Sequence, residues 1–86
     1  MKIVFHKNFG KKLRKSPKNI KDEFKESVAI FLKDPYNPTL NNHSLKGKYK
    51  SFRSINVTAD IRALYKHLKD GVFVFVDIDN HNNLYK

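Results

Sequence analysis

Residues 70 to 78, DGVFVFVDI, constrain this chain more than any other stretch. Asp70-Gly71 suits a type I′ turn, whose two central positions both need positive φ. The apolar run Val72 to Val76 that follows is far too short to span a bilayer, and too continuously apolar for a strand with one wet face. It reads as a central strand joined by a tight turn to an antiparallel neighbour. Upstream, Ile61, Ala63 and Tyr65 alternate with Asp60, Arg62 and Leu64. Before them, Arg53, Ile55 and Val57 alternate with Phe52, Ser54 and Asn56. Val57-Thr58-Ala59-Asp60 is short enough to make these two runs a hairpin. The segment from Asp79 onward is polar apart from Leu84 and Tyr85, and reads as a tail.

A sheet of this kind needs apolar cover, and the first half supplies it. Ile20, Phe24, Val28, Phe31 and Leu32 recur at helical spacing, with Asp22, Glu23 and Glu26 near the end where the helix dipole favours acids. Ser16-Pro17 reads as an N-cap followed by a proline at the first helical position, and Asp34-Pro35 stops the run, which predicts a helix over 17–34. Asn8 is placed to cap a shorter helix carrying Phe9 and Leu13, and Ile3-Val4-Phe5 forms a first strand. From Pro35 to Lys48 the turn formers leave no period, so this is a loop anchored by Leu45.

The resulting fold class is α+β, in the order β-α-α-β-β-β, with two helices packed on one face of a mostly antiparallel sheet. At 86 residues the expectation is a single domain, 1–86, with a small core. The absence of cysteine removes disulfides and fits a reducing compartment. No apolar run is long enough for a membrane span, and Met1-Lys2 leads into a strand-like IVF, so a cytoplasmic protein without a membrane partner is expected.

Eighteen Lys and Arg against eight Asp and Glu give a net charge of +10. A field of that sign concentrates polyanions, and each phosphate contact releases condensed counterions. Set into the basic second half are residues able to handle a phosphate and its protons. His43 sits in an Asn-rich loop beside Lys46-Gly47-Lys48, Asp60 opens a strand after a turn, and His81 follows the central strand. Arg53 and Arg62 lie on adjacent strands and suit bidentate phosphate contact. Each has a plainer reading: a solvated loop histidine, a turn acceptor, an exposed strand arginine. Together they make a weak case for phosphodiester chemistry. No metal-ligand spacing, glycine-rich phosphate loop or nucleophile elbow is present, and no cofactor is expected. His6 and His67 are assigned to structure or solvent.

The runs HSLKGKYKSFRSINVTADIRALY and DIDNHNNLY resemble the RelE/ParE superfamily of toxin–antitoxin toxins, most closely its YafQ-like branch of messenger-RNA interferases. The resemblance covers nearly the whole chain. It implies a toxin that enters the ribosomal decoding site and cuts bound message without a metal, an endoribonuclease neutralised by a cognate antitoxin. It places His43, Asp60, His81 and Tyr85 in catalysis; beside them, Lys46, Lys48, Arg53, Asn56 and Arg62 are expected on the RNA from their charge and hydrogen-bonding chemistry. One position departs: Asn56 stands where active members commonly carry histidine, and asparagine cannot exchange a proton near neutral pH. Two other readings follow, a catalytically weakened protein that still binds ribosome or antitoxin, and a ParE-like gyrase inhibitor.

Overall fold

In the computed structural model, which describes residues 1–84, the DGVFVFVDI stretch becomes the turn and strand that the sequence predicts. Asp70 and Gly71 are both left-handed, at φ 62° and 71°. Strand β5 runs Val72–Asn80 and pairs antiparallel with β4, Ile61–Leu68. Between Leu64 and Tyr65 the ladder slips: Leu64 faces Asp77 while Tyr65 faces Phe75. The bulge lets Phe75 and Ile78, three apart, both point to the main core, while Val76 packs against a second cluster.

The hairpin partner β3, Arg53–Asn56, lies antiparallel to β4, closed by the Val57 amide donating to the Ile61 carbonyl. Beyond it lies a two-residue strand within the expected loop, β2, His43–Ser44, flanked by single 3-10 turns at Pro38–Leu40 and Gly47–Tyr49. At the other edge β1, Lys2–Phe5, runs parallel to β5, giving the order β1-β5-β4-β3-β2.

Helix α1 is Lys7–Lys15 and α2 is Lys18–Lys33. Their starts differ from the expected caps. His6, not Asn8, caps α1: its Nδ1 accepts the Asn8 amide at 3.1 Å. Pro17, not Ser16, is the N-cap of α2, and it offers no side-chain bond. The Ser16 hydroxyl donates back to the Lys12 carbonyl at 2.8 Å, so it closes α1 rather than opening α2.

Both helices cover one face. Phe9, Phe24 and Phe31 pack on Ile55, Ala63, Tyr65, Phe73 and Phe75. Leu32, counted in the apolar stripe, is exposed, and Ser27 is buried instead, its hydroxyl donating to the Asn56 carbonyl at 3.0 Å. The other face carries a small cluster of Leu45, Leu64 and Leu84, with Tyr49, Phe52 and Val76 against it. Leu84 arrives there because the expected polar tail does not begin at Asp79: β5 continues to Asn80, and a one-turn helix, α3, spans His81–Leu84. The two remaining histidines are structural, His6 as a cap and His67 stacked on Phe73 at 4.3 Å.

Candidate functional site

Register decides which of the candidate side chains meet. On the sheet face away from α1 and α2, His43 is opposite Ser54, Asn56 is opposite Arg62, and Arg62 is opposite Asp79. An Arg62 Nη1 to Ser54 Oγ distance of 3.4 Å confirms that these two share a face. Asp60 immediately precedes β4 and His81 immediately follows β5, and since Ile61 faces Asn80, the two sit side by side. The His81 amide donates to the Asp60 carbonyl at 3.0 Å.

Asp60, Asn80, His81 and Asn82 line one open depression of about 330 Å³. Asp60 is carried by a turn in which Thr58 Oγ1 accepts from the amides of Asp60 and Ile61, leaving the exposed carboxylate at the rim. A carboxylate and an imidazole at a solvent-open wall, with Asn56 and Arg62 on the same face of the sheet, can move protons and neutralise an anion.

His43 does not line that depression; it lies two strands away, with its Nδ1 2.9 Å from the Asn41 carbonyl. Lys46 is exposed at the turn whose Gly47 has φ +67°, so this glycine answers a backbone need; a Cβ there would meet open space. Arg53 faces the helix side. Its Nε donates to Asn42 Oδ1 at 2.8 Å and its guanidinium lies 5.4 Å from the Tyr36 ring centre. The alternation of Arg53 with Ile55, against Arg62 with Leu64, already separates the two arginines onto opposite faces. Tyr85 and the side chain of Lys48 lie outside the described residues.

The sequence reading missed the polar groups that hold this rim. Lys12 of α1 reaches across to Asp77 Oδ1 at 2.7 Å and Asp79 Oδ2 at 3.1 Å. Burial alone pushes the Asp79 carboxyl up, but the Asn80 amide, the Asn83 side chain and the Lys12 ammonium outweigh it and hold Asp79 below its ordinary 3.8. Burial lowers Lys12, and hydrogen bonds and charge from Asp77 and Asp79 more than offset this, holding it above 10.5. No local sequence signal connects residue 12 to residues 77 and 79.

A folded-state value below the unfolded one means that the Asp79 contribution is present above pH 3.8 and is lost as pH falls through the folded value. The urea midpoint should therefore drop as pH is lowered below about 4, and drop less steeply in Asp79→Asn. On the alkaline side Lys12 acts in the opposite sense, its contribution being lost as pH rises through its raised value. Burial also pushes the Tyr65 phenol up, partly offset by hydrogen bonds from Asn42 and Arg53, so its neutral form too favours folding and is lost at high pH.

The fold is shared with small bacterial toxins. YafQ from E. coli strain BL21(DE3) superimposes with a TM-score of 0.80 at 20% identity, covering 98% of this chain and 97% of that one. A copper-bound mutant toxin from Helicobacter pylori gives 0.69 at 27% identity, covering 99% of each chain. An E. coli DinJ-YafQ toxin-antitoxin complex gives 0.67 at 22%, covering 98% of this chain and 96% of that one. The architecture is thus that of the RelE/YafQ-like toxins. Across residues 1–86 the sequence matches the family model for the bacterial YafQ toxin of type II toxin–antitoxin systems, and the chain belongs to that family. No curated protein matches it by sequence.

Proposed function

We propose that this toxin is a ribosome-dependent endoribonuclease that cuts messenger RNA by metal-independent transesterification. The observation that carries the reading is the pairing of Asp60 and His81 in one open depression at the end of β4 and β5, the strand ends where Arg62 also lies. Asp60 takes or orients the proton of a ribose 2′-OH; the 2′-oxygen forms a bond to the adjacent phosphorus as the bond to the 5′-oxygen breaks; His81 gives its proton to that departing oxygen. The products are a 2′,3′-cyclic phosphate and a free 5′-OH. Arg62, Lys46 and Lys48 neutralise phosphate, Asn56 hydrogen-bonds phosphate or ribose, and Tyr85 stacks on a base. His43, two strands away, serves the flanking phosphate or a second proton transfer. Arg53, tied to Asn42 on the helix side, serves the fold.

The partner implied by the family is a cognate antitoxin, as DinJ partners YafQ in the E. coli complex. A charge of +10 favours and steers association with an acidic segment. Its site of action on this reading is the cytoplasm; among the described residues no helix is long and apolar enough to cross a membrane.

Primer extension on messages from a translating extract supplied with the protein tests this. New ends within translated regions are expected. The weakened-enzyme reading, which Asn56 favours, instead gives ribosome or antitoxin binding with no new ends; absence of ribosome association as well points to gyrase. In binding assays, Arg62→Ala should weaken ribosome or RNA affinity without regard to sequence and reduce the slope of log affinity against log salt by about 1. An unchanged slope removes Arg62 from the phosphate path.

A further inference from the structure

Helix α3 is four residues long, far too short to hold its own shape in water. Its orientation, and with it that of His81, is imposed from outside. Asn80 Oδ1 accepts the Asn83 amide at 2.8 Å, and the His81 amide reaches the Asp60 carbonyl. Asp79 Oδ1 in turn accepts the Asn80 amide at 2.7 Å and the Asn83 side-chain amide at 3.1 Å. Its second oxygen accepts Lys12 Nζ, which also donates to Asp77. Leu84 closes the turn by burying in the second apolar cluster.

We propose that Lys12 is a positioning residue for His81: by clamping Asp77 and Asp79 from α1, it holds the Asp79 carboxylate where it fastens both ends of the turn that carries the imidazole. This rests on the proposed endoribonuclease role of His81. The lysine is unlike its neighbours. Lys11, Lys12 and Lys15 are all exposed, but Lys12 already commits two of its three N–H donors to carboxylates, which leaves it poorly placed to hold a phosphate. The raised Lys12 and lowered Asp79 values keep the clamp charged across a wider pH range than either group would alone. Exposed ion pairs add little to global stability, so loss of the clamp leaves a folded protein with a loosened α3.

The test compares wild type with Lys12→Met, Lys12→Arg and Asp79→Asn. By amide hydrogen exchange on the isolated protein, Lys12→Met and Asp79→Asn should speed exchange at Asn83 and Leu84 by about twofold to fivefold, the span of typical exposed pairs. Lys12→Arg should restore protection. In message cleavage the same two variants should lose kcat by on the order of tenfold at unchanged KM, short of the roughly hundredfold that a misplacement of about 1 Å can cost. Unchanged exchange in Lys12→Met overturns the clamp whatever the enzyme does. A rise in KM without loss of kcat also overturns it, since Lys12 would then be a phosphate contact. Loosened amides in a protein that cuts no message uphold the clamp and sink the endoribonuclease reading instead.

Discussion

His81→Ala should lower the rate of message cleavage by on the order of 10²–10⁴, the usual scale for one proton-transfer group, while leaving ribosome affinity within a few fold. The leaving 5′-oxygen of a phosphodiester is a poor leaving group unless a proton reaches it as the bond breaks, and His81 supplies the imidazole that lines the depression. The side chain is exposed and opens a one-turn helix, so its removal empties no core position, and the variant should unfold at the wild-type urea midpoint. Primer extension with wild type and variant, after matching their ribosome binding, reads the effect directly. A variant that cuts at the wild-type rate would end the assignment of His81 as the acid.

Phe75→Ala should cost about 3–5 kcal/mol of folding stability, the largest structural effect expected in this chain. Phe75 is fully buried on β5, and its ring centre lies 5.4 to 6.2 Å from those of Tyr65, Phe24, Phe9, Phe31 and Phe5. It therefore joins α1, α2, β1 and β4 in one contact set, and the cavity left by alanine cannot be refilled by any single neighbour without unstacking others. In a small domain with a total stability of roughly 5–15 kcal/mol, such a loss leaves the native state marginal. Urea titration would show a much lower midpoint at a similar slope, and Phe75→Leu should recover part of the loss. A midpoint within experimental error of wild type would mean that the aromatic cluster is not the core that the structure describes.

Elements specified by short-range chemistry were legible in the chain. The Asp70-Gly71 turn, the alternation in β3 and β4, and the stripe of α2 depend on neighbours within a few residues, and each appears where its pattern lies. The candidate site was legible as residue types. Which of them meet was not. Asp60 and His81 come together because Ile61 pairs with Asn80, whereas His43 remains two strands off because its own strand pairs with β3. The placement of Arg53 on the helix face followed from its phase with Ile55, a local signal that the chemistry of an arginine obscured.

Apolar spacing and turn residues by themselves determined that this chain makes a helix-covered, mostly antiparallel sheet, since backbone sterics and side-chain period act over a few residues. Tertiary structure alone decided the parallel pairing of β1 with β5, the exchange of Leu32 for Ser27 at the helix interface, and the turn that presents His81. It also set Lys12 against two aspartates more than sixty residues distant. Those outcomes depend on which surfaces remain to be covered once the sheet has formed, and on buried or half-buried polar groups finding partners wherever the chain brings them. No residue's immediate neighbours carry that information.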